Sequence, residues 1–182
     1  MTCHFFDVAV LPVEKIMNKN MVLLRQYIVL LIGVLFVCWP EKGNAWQGKV
    51  TRVRDGDSLT IEQAGRSREV RLYGIDAPEY DQPFSARARS RLNGLVWRRR
   101  VVVRPMDHDH YGRVVALVSV DGMLVNRELV AAGLAWVYPR YCKEKPLCQE
   151  LAGLEQEARQ RGIGVWASDS SVAPWVWKRR RR

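Results

Sequence analysis

Between Gly48 and Tyr73 the chain is interrupted twice by glycine-bearing turns, at Asp55-Gly56 and at Ala64-Gly65. Each stretch between them alternates apolar with polar residues: Val50 and Val53 in the first, Leu59 and Ile61 in the second, Val70 and Leu72 in the third. Tight turns holding a glycine, set between period-two runs, join antiparallel neighbours. The chain therefore predicts a three-stranded meander over 48–73. A meander leaves N–H and C=O groups unpaired along its edges, and closure into a barrel removes those edges.

The rest of the pattern supplies the closing strands. Residues 74–83 form a loop carrying Pro78 and Pro83, and Phe84–Val96 has helical composition, with Ala86, Ala88, Leu92 and Leu95 apolar and Arg87, Arg89 and Arg91 turned to solvent. A fourth strand over Arg99–Pro105 centres on Val101-Val102-Val103, a polar loop covers Met106–Gly112, and a fifth strand over Arg113–Val120 ends at Asp121-Gly122. A short helix over 124–132 closes at Gly133. A longer one over 147–161 places Leu147, Leu151, Leu154 and Ala158 on one face, with Gly162 at its C-terminal cap. Five short strands with a helix inserted after the third predict a five-stranded OB-type barrel with about three helices outside it.

Ahead of the meander lies an apolar run over 27–39, preceded by Lys19 and Arg25 and followed by Gly43-Asn44-Ala45. Small residues at −3 and −1 complete the pattern of a secretory signal peptide, and cleavage is expected after Ala45. The run is shorter than the roughly 20 residues of a membrane span; an uncleaved membrane anchor is the alternative. Met17 and Met21 are alternative starts. The chain thus divides into an export segment over 1–45, a folded domain over 46–168 and a basic tail over 169–182, and the protein is expected in the periplasm or the medium. Export makes pairing the expectation for Cys142 and Cys148, with a metal-binding pair as the other reading.

The formal net charge is +10. A basic surface attracts polyanions at long range, which suits nucleic acid and an anionic membrane alike. Three clusters narrow the choice: Asp55-Gly56-Asp57, the run from Arg71 to Glu79, and Tyr111-Gly112-Arg113. Each alone reads as solvated loop charge. Together they place Asp57 and Asp76 at the ends of strands that share one barrel rim. Converging carboxylates repel unless a cation lies between them, and Ca²⁺ accepts carboxylates, carbonyls and water. Glu79, beyond the rigid Pro78, is placed to act as general base on a water. Arg71 and Arg113 are planar donors that match phosphate geometry. The set suits metal-assisted phosphodiester hydrolysis. Beyond residue 45 the histidines are His108 and His110, so no nucleophile triad competes.

Asp107-His108-Asp109-His110 has the alternation of a transition-metal site, yet a solvated loop is the simpler reading. The basic run Lys178–Arg182 reads as a loose, disordered tail. Trp175 and Trp177 before it could stack on bases, meet a membrane interface or cover the barrel.

The Asp-Gly-Asp turn, the Arg71-x4-Asp76-x-Pro78-Glu79 run and the Tyr111-Gly112-Arg113 triplet stand in the order and near the spacing of the staphylococcal (micrococcal) nuclease family, which the chain resembles over about 46–168. Val125–Ala135, Ala158-Arg159 and Gly164-Val165-Trp166 resemble the family's later helices. The resemblance implies Ca²⁺ held by Asp57, Asp76 and the backbone carbonyl of Ala77, where the best-known member has Thr. It implies Arg71 and Arg113 on the scissile phosphate, Glu79 acting on the attacking water, and 3′-phosphorylated fragments from DNA or RNA, with single strands favoured. Tyr111 matches a tyrosine near a second phosphate of the nucleotide, while Tyr138 and Tyr141 are candidates for base stacking. A monomer without a protein partner is expected. A non-catalytic nucleic-acid-binding module on the same barrel is the second reading, disfavoured by the presence of Asp57, Asp76, Glu79, Arg71 and Arg113 together.

Overall fold

A computed structural model describes residues 44–168 and 171–181. The apolar run over 27–39 and its flanking cations lie outside the described residues, among which no helix is long and apolar enough to cross a membrane. The elements are β1 (Trp46–Val53), β2 (Ser58–Gln63), β3 (Arg66–Leu72), β4 (Ile75–Asp76), α1 (Ser85–Val96), β5 (Arg100–His108), β6 (Val114–Val120), β7 (Met123–Leu124), α2 (Val125–Ala131), β8 (Trp136–Val137), α3 (Lys145–Gln160), a 3₁₀ turn (Gly164–Ala167) and α4 (Pro174–Arg180).

The expected meander is β1–β2–β3. Ala64 and Gly65 at its second turn both have positive φ, 48° and 74°, which matches the right-handed twist of the strands they join. β5 returns antiparallel to β1, β6 pairs antiparallel with β5, and a parallel pairing of β6 with β3 closes a five-stranded barrel. The closing register sets Val70 beside Val114 and Leu72 beside Ala116. Inside lie Val50, Leu59, Ile61, Val70, Val101, Val103 and Val118, all essentially inaccessible. Each such side chain contributes roughly 1.5–3 kcal/mol when fully buried. In β1 both Thr51 and Arg52 face outward, and a register shift between Val50 and Arg52 restores Val53 to the interior.

Helices plug and brace the barrel. α1 buries Ala88, Leu92, Leu95 and Val96; Ala86, expected on that apolar side, is exposed. α2 buries Asn126, whose amide donates to the Tyr73 carbonyl at 2.9 Å and accepts the Val118 N–H at 3.2 Å. This buried amide, with both ends satisfied, fixes the exit of β3 against β6. α3 opens with Lys145-Pro146, proline suiting a first helical turn whose N–H groups have no intrahelical partner.

Three segments depart from expectation. β5 runs on to His108, where a polar loop is expected from Met106. Pro105 cannot donate to the ladder; the register shifts between Pro105 and Asp107, and pairing resumes opposite Val115 and Val114. Residues 75–76, expected in a loop, pair with 136–137 as a two-residue ribbon. The C-terminal tail, expected to be loose, carries the helix α4, the fourth among the described residues. Aromatic contacts and acidic partners offset the repulsion among its cations, as described below.

Candidate active site

The turn between β1 and β2 and the end of β3 meet at one rim, as the spacing predicts. Gly56 makes the approach possible: a Cβ there would lie 2.6 Å from the Ala77 Cβ and 2.8 Å from the Ala88 Cβ. Any side chain would push the turn off both neighbours. Asp57 is thereby buried against the segment 76–77. Its Oδ2 accepts the Ala77 N–H at 2.8 Å, and its Oδ1 accepts the Ser58 hydroxyl and Arg71 Nη1, each at 3.0 Å. Arg71 Nη2 pairs with Asp76 Oδ1. One guanidinium therefore bridges two carboxylates that are far apart in sequence.

Burial dominates the electrostatics here. Loss of hydration pushes Asp57 up to about 7, against the opposing pull of Arg71, with the neighbouring charges of Asp55 and Asp76 adding to the rise. Asp76 is raised for the same first reason, while Arg71 and Lys178 oppose it. Burial alone would weaken the charge on Arg71, but Asp57 and Asp76 outweigh that and hold it charged.

Asp76 Oδ2 is buried and, among the described residues, has no hydrogen-bond partner. A buried, unpartnered carboxylate oxygen is costly unless something positive meets it. With Asp57 and the adjoining main chain, it forms a hard oxygen donor set that suits Ca²⁺ or a similar ion. Among the described residues no three His, Cys, Asp or Glu side chains converge to hold a metal. A cation at this rim would therefore rest on two carboxylates completed by main-chain oxygen and water. His108 ends β5, and His110 leans on Tyr111 with ring centroids 3.7 Å apart.

Glu79 lies on the loop after β4. Its N–H donates to Gln82 Oε1 at 3.1 Å and its carbonyl accepts the Gln82 N–H at 2.8 Å, so the buried Gln82 fixes the loop's shape. The Glu79 carboxylate is partly exposed and pairs with Lys178 Nζ at 2.7 Å. Arg113 enters the same rim from the start of β6. Its Nη1 lies 3.5 Å from the Ser58 hydroxyl, which itself donates to Asp57.

Sequence reasoning missed the group that aims Arg113. Asp109 accepts the main-chain N–H groups of Tyr111 and Arg113 through Oδ1, each at 3.0 Å, and Arg113 Nε through Oδ2 at 2.7 Å. Burial works against the Asp109 charge, but these donors prevail and hold its carboxyl below the usual range. An Asp three residues before a glycine at a hairpin is a turn signal that could have singled it out.

The tyrosines separate. Tyr111 is 73% exposed, with the Arg113 guanidinium 5.5 Å from its ring centre. Tyr138 and Tyr141 meet edge to face 4.8 Å apart beyond β8, and Tyr138 also stacks on Trp175. The tyrosine pair is tied to the rim through the Tyr138 N–H, which donates to the Gly74 carbonyl at 2.9 Å. Cys142 and Cys148 form a disulfide, and a Cβ on Gly74 would lie 2.8 Å from the Cys142 sulfur. The bridged loop thus packs directly on the residue that leads into β4.

Residues 69–168 match the family model described as staphylococcal nuclease homologue. An uncharacterized endonuclease of Escherichia coli is 37% identical over 159 residues, covering 87% of this chain and 100% of the relative. A micrococcal nuclease of Shigella flexneri is 34% identical, covering 80% and 87% of the two chains. The staphylococcal-like nuclease CAN1 of Arabidopsis thaliana is 36% identical, covering 66% of this chain and 36% of that one. With its closed barrel and the acidic and basic clusters gathered at one rim, the chain belongs to the staphylococcal nuclease homologue family and is a nuclease.

Proposed function

We propose that this nuclease is exported, depends on Ca²⁺, and hydrolyses phosphodiester bonds of DNA and RNA alike to 3′-phosphorylated fragments, acting as a monomer that favours single strands. The observation that carries the reading is the meeting of Asp57 and Asp76, one with an unpartnered buried oxygen, beside Arg71 and the loop of Glu79.

Asp57, Asp76 and the main-chain carbonyl of Ala77 would hold the ion. Bound Ca²⁺ supplies charge neutralisation and polarisation of a phosphoryl oxygen. Glu79 takes a proton from the attacking water. The water oxygen bonds to phosphorus as the bond from phosphorus to the 5′ oxygen breaks. The leaving oxygen is protonated from solvent and the phosphate stays on the 3′ side. Arg71 and Arg113 donate to the phosphoryl oxygens, where negative charge builds during attack. Tyr111, exposed beside Arg113, is placed for a neighbouring phosphate, and Tyr138 and Tyr141 for a base. The Cys142–Cys148 bridge suits an oxidising compartment and so supports export.

The test is cleavage of single- and double-stranded DNA and RNA by the purified protein, with Ca²⁺ and with chelator, followed by end-group analysis. Ca²⁺-dependent cutting that leaves 3′-phosphates is expected. DNA shifted in a gel yet left intact in Ca²⁺ would identify a binding module instead. N-terminal sequencing of the mature protein tests export, with Trp46 expected first.

A further inference from the structure

One face of α4 touches both halves of the candidate site. Trp175 and Lys178 are three residues apart and so project on the same side of the helix. The Trp175 ring stacks on Tyr138, centroids 4.5 Å apart and planes 11° from parallel. Lys178 Nζ lies 2.7 Å from Glu79 Oε1 and 3.8 Å from Asp76 Oδ1. The loop that carries Glu79 is gripped at further points: Trp177 Nε1 donates to Asp81 at 3.2 Å, Arg181 pairs with Asp81, and the Gln82 amide donates to the Val172 carbonyl.

We propose that α4 is an autoinhibitory strap that imitates the ligands of this site, Lys178 bringing a positive charge beside the cation ligand Asp76 while pairing with the general base Glu79, and Trp175 standing in for a base on Tyr138. The proposal rests on the function argued above. An ammonium is a compact, donor-only charge, the nearest a side chain comes to a hard cation. An indole stacked face to face on a tyrosine covers the surface that a nucleobase would use. While the strap is seated, Lys178 engages the Glu79 carboxylate that is to take the proton from water. The ion pair at the site is a weak one: the Lys178 and Glu79 side chains are 42% and 32% exposed, and ion pairs so open to water hold loosely. Cation and nucleic acid therefore displace the helix, and its exposed Arg179, Arg180 and Arg181 are then free to meet phosphates. Before displacement, the apparent affinity for either ligand is reduced by the fraction of molecules that are strapped.

The experiment titrates Ca²⁺ alone, by calorimetry, into the wild type, Lys178→Ala and Trp175→Ala. Both variants are expected to bind Ca²⁺ about threefold to tenfold more tightly than the wild type, as the strapped fraction is lost. Trp175→Ala removes no charge, so its gain reports undocking. Equal affinity in all three proteins overturns the strap and leaves the nuclease reading standing, as does a gain confined to Lys178→Ala. Absence of Ca²⁺ binding to all three overturns the strap together with the Ca²⁺ dependence. Amide hydrogen exchange over 174–180 gives a second readout. Ca²⁺ is expected to speed it in the wild type, and unchanged or slower exchange overturns the proposal.

Discussion

The Asp57 carboxylate accepts the main-chain N–H of Ala77 at 2.8 Å, across a separation of 20 residues. This bond joins the first hairpin turn to the segment that follows β4, and it brings the two acidic clusters together. The same carboxylate holds Ser58 and Arg71, so Asp57 is both a structural hub and a candidate cation ligand.

The two roles separate by substitution. Asp57→Ala is expected to lose cation binding and also to lower stability by about 1–3 kcal/mol, because buried donors are left unmatched. Asp57→Asn removes a charge whose burial is unfavourable and keeps one acceptor oxygen, enough for the Ala77 N–H or for Arg71 and Ser58 but not for both. It is expected to lose Ca²⁺ affinity at least tenfold and to lose less stability than Asp57→Ala. Calorimetric titration and denaturant unfolding of both variants check this.

Glu79 pairs with Lys178 at the surface rather than in the core. Glu79→Gln is expected to lower kcat by about 10²–10⁴-fold, the usual range for a lost general base, with its thermal midpoint close to that of the wild type. Wild-type turnover would remove Glu79 from the mechanism.

Asp109 acts through Arg113. Arg113→Ala is expected to lower kcat about 10²–10³-fold, as for other lost donors to a developing oxyanion. Asp109→Ala is expected to cost about tenfold, and the double variant no more than Arg113→Ala alone, since the pair works as one unit. Additive losses in steady-state kinetics would show that Asp109 has a separate role.

Proton and cation compete at Asp57, which burial pushes up to about 7 while Arg71 opposes and Asp55 and Asp76 reinforce the shift. A carboxyl raised in the folded state contributes stability that is fully present below its ordinary range, near 4, and is lost as pH rises through about 7. Without cation, this group therefore stabilises the fold most in acid. Ca²⁺ affinity moves oppositely. It is expected to climb by up to about tenfold per pH unit between about pH 5 and 7 and to level off above about 8. Calorimetry across that range checks the slope, and a flat profile would contradict the assignment of Asp57.

The Cys142–Cys148 bridge closes a loop with a sequence separation of 6. In the chain-entropy view so short a loop is worth about 2 kcal/mol. Reduction is expected to lower unfolding stability by about that amount. Because the bridged loop packs on Gly74 and not on the carboxylates, Ca²⁺ affinity should change little. Denaturant melts with and without reductant, paired with a Ca²⁺ titration, give both numbers.

The barrel was legible because its determinants are local. Alternating apolar residues and the turns at Asp55-Gly56, Ala64-Gly65 and Asp121-Gly122 specify short antiparallel strands, and chain order leaves few ways to close them. The types of side chain at 57, 71, 76, 79 and 113 suggested phosphodiester chemistry because hard-cation ligands and phosphate donors are chemically distinctive. What the tertiary structure alone decided is which atoms meet: Arg71 lying between both carboxylates, Asp109 aiming Arg113, and a basic tail folded as a helix onto Glu79. Local rules treat that tail as a solvated run of like charge. Its helix depends on Tyr138, Asp81 and Glu79, partners that no periodicity within residues 169–182 encodes, because long-range contacts become favourable only once the barrel has brought their two sides together.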